Sequence, residues 1–304
     1  MKMQLNRLGI FGCLVLCISN MLAAEPLAEQ VTIPVEVDTT DPTLVKIVLI
    51  AGKPSHNRGE HEMFAGCVVL SKLLQQTPGV FPVIVRDEWP KNEKIFENAR
   101  SIVFFVDQIY DHAKFPPGRM EVLKKAMDAG SGMVAFHYGL HYPKEEGEQA
   151  MQWLGGYYDW SISNKGHWTA NVTPGEHPIW RGVQAAKWED GWHFNFRFVD
   201  GMKGITPLLV SAAPDKIRTT ADAKQHLGRE EVLAWAYERP SGGRGFAFSG
   251  LHLHSEWADA NHRKFLTNGI LWSAKVDVPQ EGAKVELDPV ELKNWLDNKA
   301  TPKK

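Results

Sequence analysis

Histidine is the residue type that marks the chemistry of this chain, which has twelve of them among 304 residues. The stretch 132–141 is an apolar run that ends on His137, turns through Gly139 and reaches His141. This pattern predicts a buried parallel strand with an imidazole at its C-terminal end, where open α/β sheets bind ligands. We therefore expect His137 to act as a general acid or base, with Tyr138 and His141 contacting the substrate. The alternative is a buried histidine that is bonded to the backbone.

A second histidine motif follows a predicted strand late in the chain. If that strand continues to residue 254, alternation puts His252 and His254 on the same side. Glu256 follows two residues later and could orient an imidazole and raise its basicity. We expect His254 to share acid–base work with His137, and His252 to bind a divalent metal such as zinc. A capping cluster before the last helix is the alternative account.

Two further groups are candidate substrate contacts. His56 lies in the polar loop 53–60 after the first strand, which faces the ligand crevice by the same topological rule, although a solvated loop explains it equally well. Trp168, Trp192 and His193 combine aromatic and polar side chains, which suits a sugar whose ring face stacks while its hydroxyls are hydrogen-bonded. His193 is also a second candidate metal ligand, and ordinary packing is the alternative for these aromatic residues.

Bulk composition limits the class of protein. The chain is 43% hydrophobic and 23% charged, which is ordinary for one large globular domain. The formal net charge of −2 gives no electrostatic reason to expect nucleic acid. The sequence has no Gly-x-Gly-x-x-Gly or phosphate loop after the first strand, no Gly-x-Ser-x-Gly and no His-Glu-x-x-His. Nucleotide cofactors, serine hydrolysis and zincin chemistry therefore lose support.

The N-terminus has the pattern of a cleaved signal peptide over residues 1–24. Lys2 and Arg7 precede an apolar segment at 8–19, and the segment 21–24 that follows ends in the small residues Ala23 and Ala24. The apolar segment is too short to span a membrane comfortably. Cleavage would leave Cys67 as the remaining cysteine, so we expect no intrachain disulfide. The sequence thus predicts an exported bacterial protein, periplasmic or secreted, without a membrane span in its mature form.

Strands and helices alternate along most of the chain, which predicts an α/β fold with a mostly parallel sheet. An arm at 25–43 precedes the domain, residues 156–200 are predicted to be an insertion of loops and short strands, and a tail with a short helix near 289–297 occupies 275–304. The predicted strands are 44–51, 80–86, 101–106, 132–137, 206–211, 231–237 and 244–250, and the predicted helices are 61–76, 91–99, 117–129, 145–154 and 258–272.

The order of these motifs resembles the ThuA-like (trehalose-utilisation) family over residues 44–274. The resemblance rests on 46–52, 135–139, Gly155-Gly156, 176–179, 190–193, and 243–245 followed by 250–252. It implies a flavodoxin-like, three-layer sandwich similar to the class I glutamine amidotransferase domain. Amidotransferases carry a nucleophilic cysteine after the central strand and a late His-x-Glu pair. Here those positions resemble His137 and His254-Ser255-Glu256, so amide hydrolysis by a Cys–His–Glu triad is excluded. Asp190-Gly191 departs from the acidic pair expected of the family.

The resemblance also implies a role in sugar catabolism, since family members often occur beside oxidoreductases that make 3-keto-glycosides. A carbonyl at C3 acidifies the neighbouring C–H bonds, and a histidine base can remove such a proton. We expect an enzyme that acts on a glycoside or 3-keto-glycoside by elimination, isomerisation or hydrolysis, with or without a metal. A non-catalytic carbohydrate-binding or scaffolding module is the alternative, as is a metalloenzyme of another type. The expected partner is a small carbohydrate, and a homo-oligomer is left open.

Overall fold

The computed structural model describes residues 33–107, 118–294, 296, 297 and 299. The predicted signal peptide, the first part of the predicted arm and the end of the predicted tail lie outside these residues. Among the residues described, no helix has the length and apolar character needed to cross a membrane.

A seven-stranded sheet forms the centre of the fold, in the order β2-β1-β3-β4-β11-β10-β9. The first five strands in this order run parallel, and β10 and β9 are antiparallel to their neighbours. The parallel part has the 2-1-3-4-5 order of flavodoxin-like sheets, so the predicted mostly parallel α/β fold is confirmed. The sheet strands are Val45–Ala51 (β1), Val80–Val85 (β2), Ser101–Phe105 (β3), Gly132–Phe136 (β4), Ile205–Ala212 (β9), Glu230–Glu238 (β10) and Arg244–Phe248 (β11).

Helices cover both faces of this sheet and produce three layers. Alternation along β1 divides its side chains between two cores: Ile47 and Leu49 belong to one, and Val48 and Ile50 to the other. Helices α1 and α4 contribute to the first core, and α2 and α3 to the second. The helices are Met63–Leu74 (α1), Arg119–Asp128 (α2), Lys144–Leu154 (α3), Ala260–Ser273 (α4) and Pro289–Asn294 (α5).

The insertion after α3 is more regular than the sequence predicted. It holds an antiparallel hairpin of two nine-residue strands, Asn164–Val172 (β6) and Ala186–Phe194 (β7), and a small pair, Gly156–Tyr157 (β5) with Arg197–Phe198 (β8). The prediction of only loops and short strands was therefore wrong. Trp188 and Trp192 are both 0% exposed and project from β7 into the first core. This burial explains why a stretch rich in tryptophan forms long strands.

A buried histidine in α4 predicts that the fold is sensitive to acid. The His262 ring lies among Trp188, Phe248 and Trp257, and neither of its nitrogens has a hydrogen-bond partner in the described part of the chain. Burial lowers the pKa of His262 from 6.5 to about 3. Below about pH 6.5 the His262 imidazole is therefore protonated in the unfolded chain but stays neutral in the folded chain. The free energy of unfolding falls as the pH is lowered from there toward 3.

Replacing His262 with phenylalanine should reduce this acid sensitivity. Between pH 7 and pH 5 the protonation of one unfolded histidine of ordinary pKa amounts to about 2 kcal/mol. Between pH 7 and pH 5 the unfolding free energy of the His262→Phe protein should therefore fall by about 2 kcal/mol less than that of the wild type. Urea denaturation at the two pH values measures this difference. His226→Gln, at a partly exposed site, is the control, and it should follow the wild-type pH dependence. Parallel curves for His262→Phe and wild type would contradict the prediction.

Candidate active site

Four loops at the C-terminal edge of the sheet bring polar side chains together. The loop after β1 carries His61, Asp107 follows β3, His137 follows β4, and His252 follows β11. The C-terminal ends of parallel strands lie at one edge, so residues far apart in sequence converge there. His61 and His137 are almost fully buried, and the side chain of His252 is 12% exposed.

His137 has a left-handed backbone at the end of β4, with a φ of 52°. Its Nδ1 lies 3.0 Å from the carbonyl oxygen of Ser249, and its Nε2 lies 3.0 Å from Nε2 of His61. Because a carbonyl only accepts, Nδ1 carries the proton, and Nε2 of the neutral ring presents a lone pair. A Cβ at Gly139 would meet the Phe104 carbonyl oxygen at 2.9 Å, so this turn needs a glycine.

His61 joins the first loop to the last. Its Nδ1 lies 2.9 Å from Asp107 Oδ1, and its Nε2 lies 2.8 Å from Nδ1 of His252. The backbone N–H of His61 donates to the carbonyl oxygen of His252, and the N–H of His254 donates to the carbonyl oxygen of Gly59. This antiparallel bridge, in which Glu60 pairs with Leu253, fixes the two histidine-bearing loops against each other.

Burial favours the neutral form of four imidazoles in and around the site. It lowers the pKa values of His137, His141 and His193 well below the ordinary value, and lowers that of His252 to about 4, with neighbouring histidines adding to the effect. Burial alone would raise the pKa of Asp107, but hydrogen bonds from His61 and Ser55 outweigh it and leave that pKa lowered. The site therefore combines neutral nitrogen bases with one ionised carboxylate.

Asp190, on β7, holds the loop that carries His252. It is 0% exposed, and its carboxyl oxygens accept the backbone N–H groups of Gly191, Leu251, His252 and Leu253 at 2.6–3.1 Å. Burial raises the pKa of Asp190 to about 7, although these N–H groups act to lower it. The sequence did not predict this positioning role, which depends on β7 packing against a loop 61 to 63 residues later in the chain.

The accessible rim of the site has its own side chains. The His56 ring stacks on His61 with centroids 3.6 Å apart, and its side chain is 38% exposed. The exposed Lys165 contacts the hydroxyl of Tyr138, and its ammonium lies 4.8 Å from the centre of that ring. Trp160 is 47% exposed and meets His141 edge-on at 4.9 Å. A ligand that enters here would meet an imidazole, an ammonium group and an exposed indole.

The structure brings His193 and His141 beside His137, but as packing neighbours. The His193 ring stacks on His137 with centroids 4.3 Å apart, and its Nδ1 lies 3.2 Å from Nε2 of His141. His141 stacks in turn on Tyr158 at 3.8 Å. His193 therefore contacts His137 and His141, whereas Nδ1 of His252 contacts Nε2 of His61.

The two predicted tryptophans lie away from the rim. Trp192 is 0% exposed, and its indole N–H donates to the carbonyl oxygen of Trp168. Trp168 is partly buried, and its indole N–H donates to Ser211 Oγ. A ring that is 0% exposed has no free face for a sugar in this conformation, so Trp160 is the better-placed aromatic platform.

His254 and Glu256 lie in a short 3₁₀ helix, His254–Ala258, that follows the His252 loop. The premise that the strand continues to residue 254 was wrong, because β11 ends at Phe248 and Leu251 takes a φ of 78°. Burial raises the pKa of Glu256 to about 7, and the nearby carboxylates of Asp190, Asp259 and Glu189 add to the shift. Glu256 thus has acidic neighbours, and the catalytic roles predicted for His254 and Glu256 stay predictions.

The sequence prediction passed over several residues of the site. It named His56 from the first loop but not His61, and it did not use Asp107 or Trp160. Asp107 comes two residues after β3, so the strand-end rule that selected His137 could have found it. His61 carried no comparable signal, because its direction depends on a φ of 47° that the sequence does not reveal.

The C-terminal segment contacts the loop that carries His61. The ammonium group of Lys299 meets the carbonyl oxygens of Asn57 and Glu60. Asp297 accepts the N–H groups of Phe64 and Ala65 at the start of α1. Residues of the predicted tail therefore hold the loop that carries His61, and the start of α1 after it, through hydrogen bonds to the backbone.

A separate cleft of about 1020 Å³ lies at the opposite edge of the sheet. Lys46, Arg100 and Ser131, near the N-terminal ends of β1, β3 and β4, are among its lining residues. None of the clustered histidines lines this cleft. We place the candidate site at the histidine edge, because that edge has the convergent titratable groups and the topology of a ligand site.

Comparison with known proteins agrees with this fold. A ThuA-like protein from Parabacteroides merdae has a TM-score of 0.55 at 16% identity, covering 84% of this chain and all 100% of its own. A ThuA-like protein from Bacteroides uniformis has a TM-score of 0.53 at 14% identity, covering 77% of this chain and 93% of its own. At these identities the likeness shows the fold alone. No curated protein matches the chain at a significant level. The family model described as "ThuA: Trehalose utilisation" matches residues 48–273, so this chain belongs to the ThuA family.

Proposed function

We propose that this protein is an exported enzyme of sugar catabolism that acts on a glycoside or a 3-keto-glycoside at the histidine cluster. One observation carries the proposal: imidazoles from three loops, those of His61, His137 and His252, meet beside the Asp107 carboxylate. Imidazole is the side chain whose ordinary pKa lies nearest to neutral pH, and its uncharged form can accept a proton. Family membership links the chain to sugar utilisation.

The rim is suited to a sugar. Trp160 presents an indole face that can stack on a pyranose ring, and Lys165 presents an ammonium group beside Tyr138 for hydroxyl or carbonyl oxygens. His56 borders the same opening and stacks on His61. A sugar held on this rim would place its reacting carbon near an imidazole, and the interior histidines would lie beneath it.

The chemistry that we propose begins with removal of a proton next to the C3 carbonyl of a keto-glycoside. The carbonyl acidifies that C–H bond, and an imidazole nitrogen takes the proton as the electron pair moves to the carbonyl oxygen. The enolate then returns its electrons to expel a glycosidic group on the adjacent carbon, or it is reprotonated to give an isomer. In this proposal His137 lies in the interior of the reaction site and His56 lies at its solvent-accessible rim. Export of the protein is part of the same proposal.

Deuterium exchange tests this step directly. The purified protein is incubated in D₂O with a 3-keto-disaccharide and, separately, with the unoxidised disaccharide, and the products are followed by mass spectrometry. We expect deuterium at the carbon beside the carbonyl, or release of a monosaccharide, well above the rate without protein. The His56→Asn protein should be slower by at least about tenfold. Sugar binding by calorimetry without exchange or product would contradict the enzyme and support a binding module.

A further inference from the structure

Three imidazole nitrogens face one another in the interior of the site. His61 Nε2 lies 3.0 Å from His137 Nε2 and 2.8 Å from His252 Nδ1, and all three atoms lie within 4.8 Å of one another. The three histidines come from different loops, which are fixed by the β1, β4 and β11 strand ends and by the bridge between Glu60 and Leu253. This convergence is built into the sheet topology and does not depend on one flexible loop.

The protons on these rings cannot satisfy all of the contacts. His137 donates Nδ1–H to the Ser249 carbonyl oxygen, and His61 donates Nδ1–H to the Asp107 carboxylate. In the neutral rings both Nε2 atoms then carry lone pairs, and these lone pairs face each other across 3.0 Å in a buried place. Two acceptors at this distance repel unless a positive charge lies between them.

The far side of each ring has an acceptor that would orient it toward a cation. Asp107 serves His61, and the Ser249 carbonyl oxygen serves His137. Nε2 of His252 lies 3.8 Å from Glu60 Oε1, so this carboxylate is close to the ring but beyond hydrogen-bond distance. Metal-binding histidines almost always have such a partner on their second nitrogen, because it fixes the tautomer and raises the basicity of the ligand atom.

We propose that His61 Nε2, His137 Nε2 and His252 Nδ1 bind one Zn²⁺ ion. Three neutral imidazoles with a fourth position left for water or substrate form the donor set of a catalytic zinc site. Zinc–nitrogen bonds of about 2.0–2.1 Å in a tetrahedral site separate the nitrogens by about 3.3 Å, so the two short contacts must widen by about 0.3–0.5 Å. The sequence predicted His252 and His193 as ligands; this set keeps His252 and replaces His193 with His61 and His137.

A second group, His56 with His61 and Asp107, could also surround an ion. We favour the three-histidine set, because Nδ1 of His61 is already engaged with Asp107 and only its Nε2 is free to bind a metal. The inference does not depend on the sugar reaction. If the proposed function also holds, the ion would polarise a sugar oxygen, His137 would act through the ion, and His56 would receive the proton.

Metal analysis tests the site without any substrate. The mature protein is purified without a histidine tag, supplied with Zn²⁺ and dialysed. Its zinc content per chain is then measured by elemental mass spectrometry. We expect about one zinc per chain. His61→Gln, His137→Asn and His252→Gln should each weaken zinc binding at least about 100-fold in a chelator competition, and Asp107→Asn about 10–100-fold. His226→Gln, at a partly exposed site away from the cluster, should bind zinc as the wild type does.

A measurement on the wild type keeps the test independent of variant folding. Zn²⁺ added to the metal-stripped protein should raise its thermal unfolding midpoint until one equivalent is bound, and Mg²⁺ should not. A wild-type protein that retains no zinc and gains no thermal stability overturns the proposal, as does full zinc binding by a folded His61→Gln protein. Deuterium exchange by a zinc-free wild type would also overturn a catalytic role of the ion, while leaving the proposed sugar reaction intact.

Discussion

Replacing His137 with asparagine should lower turnover of a keto-glycoside by about 100- to 10,000-fold while the protein remains folded. This range is what a general acid or base contributes to a reaction, and loss of a metal ligand would produce a similar defect. The measurement is kcat/KM from the release of free sugar, together with deuterium exchange beside the carbonyl. Circular dichroism and the urea midpoint would show whether the fold persists.

Asparagine is the informative substitution because of the backbone at this position. His137 has a φ of 52°, a left-handed conformation that alanine and β-branched residues adopt only at a cost. Asparagine tolerates that conformation, so the variant removes the imidazole without adding backbone strain. His226→Asn makes the same chemical change at a partly exposed position and should leave turnover at the wild-type level. A His137→Asn protein with unchanged turnover would refute the assignment of the site.

The edge of the sheet on which the histidines meet could be predicted from sequence. A buried apolar run that ends on a polar residue indicates a parallel strand, and ligands of such sheets bind at the C-terminal ends. That reasoning located His137, and it would equally have located Asp107 after β3. The alternation of apolar strand runs with helical periods is set by the residues themselves, so the mostly parallel α/β class could be predicted from them. The flavodoxin-like strand order was implied by the family resemblance, and it is the order that the sheet has.

The direction of side chains in the loops could not be predicted in the same way. His56 and His61 both take positive φ, at 59° and 47°, so no helical or strand period applies to the loop between them. His252 follows a left-handed Leu251, which breaks the alternation that was expected to align it with His254. The site depends on these turns and on long-range contacts such as the bridge of Glu60 with Leu253.

Replacing Asp190 with alanine should destabilise the protein by about 3–5 kcal/mol and displace His252. The carboxylate is fully buried and accepts four backbone N–H groups, three of them from the loop 251–253. Each buried donor left without an acceptor costs about 1–3 kcal/mol, and the gain from no longer burying a carboxyl group offsets part of that cost. The measurement is the unfolding free energy from urea denaturation near pH 7.

A graded series separates the hydrogen bonds from the size of the side chain. In Asp190→Asn the oxygen can keep the Oδ1 contacts with Gly191, His252 and Leu253, while its NH₂ faces the N–H of Leu251 across the 2.6 Å contact now made by Oδ2. One hydrogen bond is lost, and the amide NH₂ and the Leu251 N–H are two donors that face each other. We therefore expect Asp190→Asn to lower the unfolding free energy by about 1–3 kcal/mol. Asp128→Ala removes an exposed carboxylate from a surface ion pair with Lys124 and should change stability by less than about 0.5 kcal/mol.

Activity measured at equal folded fraction distinguishes a positioning role from a purely structural one. If Asp190 orients the His252 loop, both variants should lose turnover and zinc affinity even where the chain is fully folded. The tight fit supports this expectation, because a Cβ at Gly191 would meet Cγ of His252 at 2.8 Å. Loss of stability with normal turnover per folded molecule would instead mean that the imidazole of His252 is held by its contacts with His61 and Glu60, and that Asp190 serves the fold alone.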